Sequence, residues 1–529
     1  MLRIKSLFLS IKVEFVLCVV FVLYRLPLLG FDIVNTDAPR WKERIFHFSS
    51  ALSNGNFAGT NVIYHPGVTL MWIGTIGLKF FNLLFLFFYK RPVDLGYSFD
   101  YLSLHFVQKL FLVLFLAFLL FICLILLKRM FNTVYTILFF CIFTFEPMVL
   151  AYTRVLHTDA LITFLLFTTF LLVFYYVKNR NKIWFVLSII TSGLAFLTKS
   201  NSLFLLPFVG LLFFVHFFDT KNVKNMVLAI SKKYFAWILG SIFIFFLLWP
   251  AMWVTPVSTL KDYYNGISEV GVTDGHPQKW LGNEVIDPGV TFYPGILFIR
   301  YTPWFYILTF SGILLFLYSI YKYRKIDKFY LTSLFFVFFY IVFMTLPSKK
   351  LGRYILPIIP FLSLFATYFL YNVWEFVKKG YKLTTKAPVY IVSLLFICLS
   401  IFSTYKFFPE YLFYYNPLVG GFNGGRNIEN PKWPLGGYVL SKYINIIPNI
   451  ENINVFIRKP FTYEHFLNTH TYDVSAVDNY SKSGDLFILE SVDDFFFLSY
   501  RRFKLIDVIK IDTVDYFWVY EITSDKDIK

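Results

Sequence analysis

Residues 104–129 read LHFVQKLFLVLFLAFLLFICLILLKR, an apolar run that ends abruptly at Lys128-Arg129. A helix that crosses about 30 Å of hydrocarbon needs roughly 20 such residues. A basic pair at its end marks the cytoplasmic face under the positive-inside rule. Ten further runs share the pattern: 15–29, 134–151, 161–177, 184–197, 203–218, 234–248, 304–320, 329–346, 355–374 and 389–404. The chain therefore reads as a multi-pass membrane protein of about 11 spans.

Composition agrees. Of 529 residues, 57% are apolar, 22% aromatic and only 15% charged, and the mean hydropathy is +0.62, outside the range of soluble domains. The first run follows Arg3, Lys5 and Lys12 and lacks a small-residue cleavage site, which predicts a retained signal anchor with a cytoplasmic N-terminus. Cys18, Cys123, Cys141 and Cys398 all lie in apolar runs without metal-ligand spacing, so they are expected to be packing residues, with no disulfide framework and no metal site. The net charge of +17 resides mostly in short loops, which assigns it to topology and excludes a nucleic-acid partner.

Parity settles a twelfth apolar stretch, 68–89. If it does not cross, Lys128 and Arg129, then Lys178, Arg180 and Lys182, then Lys221, Lys224, Lys232 and Lys233, then Lys322, Arg324, Lys325 and Lys328, then Lys378, Lys379, Lys382 and Lys386 all fall in cytoplasmic loops. If it crosses, every cluster moves outside and the rule fails. Residues 68–89 are therefore expected to lie in the outer interface. That makes 31–101 one external segment with juxtamembrane helices, places the 251–300 loop outside, and divides the chain into a membrane domain (1–405) and an extracytoplasmic tail (406–529). Short alternating runs at 454–457, 485–489, 504–509 and 516–522, with an amphipathic helix near 438–447, predict a small α/β domain in that tail.

Ionisable residues near a bilayer are costly and hence informative. Asp37, in Asn35-Thr36-Asp37-Ala38-Pro39-Arg40-Trp41, stands just outside the first span, either as a general base or as a helix cap ahead of Pro39. Asp159, in Arg154-Val155-Leu156-His157-Thr158-Asp159, stands at the outer junction of the next-but-two span, again as an acid of the reaction or as a cap. Paired carboxylates suit a step in which one takes a proton and the other positions a nucleophile or steadies positive charge on a sugar. Arg40, Arg154, Lys199, Arg300, Lys349, Lys350 and Arg353 break the charge rule by lying outside. Each alone could reach lipid headgroups, but together they suit a phosphate. His65 and His276 lack metal-ligand spacing and are read as hydrogen-bond donors only, Glu146-Pro147 as a capped helix end rather than a catalytic acid, and Trp249-Pro250-Ala251-Met252-Trp253 as an interfacial belt rather than a groove for a prenyl tail.

With these residues placed, the chain resembles the GT-C superfamily of membrane glycosyltransferases, in particular the protein O-mannosyltransferase and lipid A aminoarabinose transferase families. Asp37 with Arg40 resembles the acidic first-loop motif, and Tyr64-His65-Pro66-Gly67 the His-Pro-Pro element. Arg154 to Asp159 resembles the second acidic motif, and Gly193-Leu194-Ala195-Phe196-Leu197-Thr198-Lys199 a further family segment. Pro294 to Trp304, Lys349-Lys350-Leu351-Gly352-Arg353-Tyr354-Ile355-Leu356-Pro357 and Phe408-Pro409-Glu410-Tyr411 follow in the family's order. The chain departs from the family at Ala38, at Gly67 and around Trp433, where the Trp-Gly-Glu-Gly pattern is absent.

The resemblance implies a GT-C fold and inverting transfer of a sugar from a polyprenyl-phosphate donor to a hydroxyl or amine of a protein, lipid or glycan, at the outer face of the cell membrane. It implies Asp37 as base and Asp159 as second acid. Arg40, His65, Arg154, His157, Lys199, Arg300, Lys349 and Arg353 form the pool for substrate and phosphate contacts, with no obligatory cofactor or metal. A transporter or flippase of lipid-linked sugars would instead carry mid-membrane charges and repeated halves. A non-catalytic membrane scaffold would hold Asp37 and Asp159 more than about 15 Å apart, beyond joint action on one substrate.

Overall fold

The computed structural model describes residues 12–32, 34–63, 66–217, 223–269, 275, 277–382, 385, 387–429, 433–490 and 503–523. Its helices are α1 (Lys12–Arg25), α2 (Ala38–Ser53), α3 (Val68–Tyr89), α4 (Ser98–Met130), α5 (Thr133–Thr144), α6 (Pro147–Tyr152), α7 (Thr158–Asn179), α8 (Lys182–Thr198), α9 (Leu205–Phe217) and α10 (Val223–Leu248). They continue as α11 (Pro256–Gly266), α12 (Phe292–Arg300), α13 (Pro303–Tyr323), α14 (Lys328–Thr345), α15 (Ile359–Gly380) and α16 (Ala387–Thr404). Among the described residues, nine helical segments have the length and apolarity to cross a membrane, α3 included; α5 and α6, bent by 74° at their junction, make a tenth if counted together. Ten of the eleven expected spans each correspond to one helix, and the span 134–151 to the bent pair α5–α6.

The bundle is built around α7, whose apolar window is 94% buried. It is apolar all round because neighbours cover every face. Gly312 lets α13 press against the backbone of α15 at Phe365, where a Cβ would collide. The break between α5 and α6 falls at Glu146-Pro147. There the Glu146 carboxylate accepts hydrogen bonds from Thr302 N–H (2.8 Å) and Oγ1 (2.7 Å), securing the start of α13.

The two ends of the bundle differ. At one, Lys128 pairs with Glu14 (2.9 Å) and Asn132 meets Tyr371 (2.7 Å). The other gathers the N-termini of α2 and α7 and the C-terminus of α8 around one cavity. Helix α3 begins and finishes at this second end. Thr69 Oγ1 near its start donates to Leu194 O of α8 (2.8 Å), Trp72 Nε1 donates to Leu248 O at the end of α10 (2.8 Å), and Tyr89 at its finish meets Phe99 in the first turn of α4 (5.9 Å). Helix α4 has 33 residues, about 50 Å at 1.5 Å per residue. Its surplus length carries buried Asp100, His105, Gln108 and Lys109.

Two small sheets complete the chain. A hairpin of β1 (Gln278–Trp280) and β2 (Asn283–Val285) lies in the 251–300 loop, where none was expected. The tail forms a five-stranded sheet of β3 (Val455–Ile457), β4 (Thr471–Tyr472), β5 (Leu486–Glu490), β6 (Phe503–Ile511) and β7 (Val514–Ile522), in the order β4-β3-β5-β7-β6. β3 pairs in parallel with β4 and β5, while β7 is antiparallel to β5 and β6. The expected helix is α18 (Gly437–Ile444), preceded by α17 (Gly421–Ile428). This α/β unit shares its core with the bundle: Tyr411, Phe413, Trp433, Leu435 and Val455 belong to one apolar cluster with Phe361 and Leu150. It is thereby fixed over the cavity end. Glu410 Oε1 accepts the Gly436 N–H (2.8 Å), at a residue whose φ of 90° favours glycine.

Candidate active site

Asp37 immediately precedes α2, yet its side chain does not cap the helix. Asn35 Oδ1 does that work, accepting from the N–H groups of Asp37 (3.0 Å) and Ala38 (2.8 Å). The Asp37 carboxylate is left to face inward, where its Oδ2 accepts from Trp433 Nε1 (3.0 Å) and meets His157 Nε2 (3.5 Å) and Arg353 Nη2 (3.6 Å). Its Oδ1 lies 3.9 Å from Arg40, one turn on in α2.

Asp159 sits in the first turn of α7 and is equally withdrawn from capping. Its Oδ1 lies 2.6 Å from Lys199 Nζ, and its Oδ2 lies 2.8 Å from His157 Nδ1 and 3.1 Å from Arg353 Nε. One imidazole and one guanidinium thus touch both carboxylates. The two acids are thus bridged through single side chains, with contacts of 3.5 and 2.8 Å on either side of the imidazole, inside the limit for joint action.

The cavity beside Asp37 has a volume of about 210 Å³. Arg40, Arg44, Lys199, Lys349, Arg353 and His157 line it, with Asp37 the only carboxylate among the described residues that line it. Trp41 and Tyr354 supply aromatic walls, and the Lys199 ammonium lies 4.1 Å from the Tyr354 ring centre. Burial pushes the Asp37 carboxyl up, but His157, Arg353 and the Trp433 indole outweigh it and hold it below the usual carboxylate range. Asp37 is consequently ionised and already hydrogen-bonded. Among the described residues no cluster of His, Cys, Asp and Glu has the arrangement of a metal site.

The structure brings Asp37, Arg40, His157, Lys199, Lys349 and Arg353 to one cavity, with Asp159 buried behind it in contact with His157, Lys199 and Arg353. His65 lies outside the described residues. Arg154 is elsewhere: it is 2% exposed, pairs with Asp32 (3.0 Å), and donates to Arg25 O (2.6 Å) and Pro27 O (2.9 Å). Its three guanidinium nitrogens hold the α1–α2 connection onto α6, so it stands apart from the cavity for which a phosphate contact was expected. Arg300 also lies outside the cavity, in an adjoining hollow beside Glu429. Lys350 turns away to Asp287 (2.7 Å).

Sequence reasoning missed Trp433, Arg44 and Tyr354. Tyr354 stood inside a quoted motif, and Arg44 is one turn beyond Arg40 on α2. Trp433 carried no local signal, because it reaches Asp37 from 396 positions away.

No protein-family model matches the chain, and no curated protein matches it. Among solved structures, its fold is similar to ArnT from Cupriavidus metallidurans bound to undecaprenyl phosphate, at 13% identity over 97% of this chain and 98% of that one, TM-score 0.49. The apo state of that enzyme matches over 98% of each chain at TM-score 0.48. The archaeal oligosaccharyltransferase AglB from Archaeoglobus fulgidus, in complex with an inhibitory peptide and a dolichol-phosphate, is 10% identical over 99% of this chain and 75% of that one, TM-score 0.44.

Proposed function

We propose that this protein is a GT-C glycosyltransferase of the cell membrane that transfers a sugar from a polyprenyl-phosphate donor to an acceptor hydroxyl or amine on the outer face. The observation that carries the reading is the cavity itself: an ionised carboxylate, Asp37, surrounded by Arg40, Arg44, Lys199, Lys349 and Arg353. Such cations offer charge-assisted hydrogen bonds to a phosphate and steady its charge as it leaves. The cavity lies at the end of the bundle opposite Lys128 and its Glu14 partner. With the basic loops in the cytoplasm, the site and the α/β unit lie outside.

In the proposed reaction the acceptor oxygen or nitrogen forms a bond to the anomeric carbon while the bond from that carbon to the phosphate oxygen breaks. The electron pair departs with the polyprenyl phosphate, and the acceptor's proton passes to Asp37. Asp159 fixes Lys199, Arg353 and His157 in place for this step. Because Arg353, His157 and Trp433 hold Asp37 ionised, it is ready to accept a proton, and it gains basicity when the acceptor displaces these contacts.

The test is transfer from labelled polyprenyl-phosphate sugars in membranes containing the wild type or Asp37→Asn. Loss of a general base predicts transfer lower by about 10²–10⁴-fold with the donor still bound. Equal transfer by both would remove Asp37 from the mechanism.

A further inference from the structure

Trp433 reaches Asp37 from the tail, and its hold on the carboxylate depends on the chain that carries it. The indole is buried; its Nε1 donates to Asp37 Oδ2 (3.0 Å), and its ring centre lies 4.4 Å from the Arg353 guanidinium and 5.5 Å from the His157 ring centre. Residues 430–432 lie outside the described residues, so the described support of Trp433 runs forward through Pro434-Leu435-Gly436. That stretch is stiff, because Pro434 fixes its own φ and restricts the residue before it. Whatever holds Gly436 therefore also sets the place of Trp433.

Two side chains hold that turn. On the tail side the Tyr463 hydroxyl lies against Leu435 O (3.2 Å), and a Cβ at Gly436 would stand 2.7 Å from the Phe517 ring, so the turn is seated closely on the tail core. On the membrane side Glu410 Oε1 accepts the Gly436 N–H (2.8 Å). Glu410 is buried in the linker between α16 and the sheet, near enough to Asp32 and Lys109 to feel their charges, with Tyr463 and Tyr516 also close by. Asp32, in the connection that leads to Asp37, pairs with Lys109 (2.5 Å) and Arg154 (3.0 Å). Glu410 thus stands where the segment that carries Asp37 and the turn that carries Trp433 come together. Burial, with Asp32 adding to it, pushes its carboxyl up to about 8 against the pull of the Gly436 and Gly437 N–H groups. At pH 7 it is chiefly the neutral acid, whose carbonyl oxygen serves Gly436 while Oε2 has no hydrogen-bond partner among the described residues.

We infer that Glu410 is a positioning residue for the transfer reaction: by holding Gly436 it keeps the Trp433 indole on Asp37 Oδ2, which leaves Oδ1 to take the acceptor's proton. The inference rests on the reading of Asp37 as the base. The groups that face the Asp37 carboxylate are Trp433, His157, Arg353 and Arg40. Of these only Trp433 comes from the tail, so it is the one that a change at Glu410 moves.

Indole nitrogen–proton NMR of the full chain in nanodiscs tests this, with the Trp433 resonance assigned by its loss in Trp433→Phe. Glu410→Gln keeps the carbonyl oxygen and should leave that resonance where it stands in the wild type at pH 7. Glu410→Ala should move it and speed its exchange with solvent by about 10-fold, the worth of one such hydrogen bond. In transfer from labelled polyprenyl-phosphate sugars, the acid limb should move to higher pH in Glu410→Ala and stay in place in Glu410→Gln. The double variant Glu410→Ala/Trp433→Phe should show no displacement beyond that of Trp433→Phe. Where Glu410→Ala fails to fold, Glu410→Asp, whose shorter side chain falls short of Gly436, takes its place. An unmoved resonance in Glu410→Ala, a Glu410→Gln as altered as Glu410→Ala, or displacements that add in the double variant overturns the inference. Transfer that needs Asp37 with an indole indifferent to Glu410 overturns it alone, whereas transfer unchanged in Asp37→Asn overturns the reading on which it rests.

Discussion

Arg353→Ala removes the one side chain that lies in ion contact with both carboxylates while also facing both hollows. Its Nε stands 3.1 Å from Asp159 and its Nη2 3.6 Å from Asp37. Breaking a buried ion pair costs about 3–5 kcal/mol, because the remaining charge is left desolvated. Asp159 keeps Lys199 at 2.6 Å and Asp37 keeps the Trp433 indole at 3.0 Å, so the lower end applies. A loss of about 3 kcal/mol is roughly a 150-fold fall in the folded-to-unfolded ratio.

The pH dependence identifies the cause. In the wild type the folded-state pKa of Asp37 is depressed. That stability is present above the ordinary carboxylate pKa and is lost as pH falls through the folded value. Without the guanidinium, burial and the neighbouring Asp159 raise Asp37 relative to the wild type, so the variant takes up a proton at higher pH and recovers part of its deficit. Denaturant titrations in one fixed detergent at pH 8 and pH 5 should show a gap between wild type and Arg353→Ala that narrows at the lower pH. The double variant Arg353→Ala/Asp37→Asn should regain about half of the loss by relieving the like-charge pair. No gap, or one equal at both pH values with no rescue, would show that Arg353 does not balance these acids.

Trp433→Phe keeps the ring but deletes the N–H that holds Asp37. The charged hydrogen bond contributes about 1.5–3 kcal/mol, so the Asp37 carboxyl should rise by roughly one to two pH units, visible as the same displacement in the acid limb of the transfer rate. Lys42, on α2, is 3% exposed and donates only to Gln108 (3.1 Å) among the described hydrogen bonds. Burial, then the nearby Lys109, hold its pKa well below the ordinary lysine value. The unfolded chain therefore binds more protons, and wild-type stability rises with pH up to the ordinary lysine pKa. Lys42→Met should abolish that rise and stabilise the protein at neutral pH by about 1–2 kcal/mol, checked by unfolding titrations across pH 7–10. Arg154→Ala should destabilise the fold by about 3 kcal/mol, the lower end for a buried pair because Asp32 keeps Lys109 (2.5 Å), with undecaprenyl phosphate affinity per folded molecule unchanged in a binding assay; weakened affinity would return Arg154 to the cavity.

The span pattern was legible because a bilayer imposes a linear demand: each crossing must be one continuous apolar run with its backbone hydrogen bonds satisfied within the segment. Four of the five strands of the tail, β3, β5, β6 and β7, were legible for a similar reason, since their alternation is local, while the two-residue β4 was not. Nor was the β1–β2 hairpin, because its strands Gln-Lys-Trp and Asn-Glu-Val each hold a single apolar residue and so show no alternation. Asp37 and Asp159 stood out as carboxylates beside apolar runs, but whether each capped a helix or faced a cavity was undetermined. That choice depended on Asn35 taking over the cap and on Lys199 and Arg353 arriving from other helices.

Sequence by itself determined the membrane class, the placement of the helices along the chain, and the short set of polar residues that are costly at a bilayer surface. Only the tertiary structure decided which of the outward cations meet. Arg154 spends its guanidinium on Asp32 and two carbonyls, Lys350 on Asp287 and Arg300 on the adjoining hollow, while Lys199, Lys349 and Arg353 converge on Asp37 and Asp159. Hydropathy acts along the chain and can be read residue by residue. Charge pairing acts through space, so a partner such as Trp433 becomes visible only once folding has carried the tail back over the start of the chain.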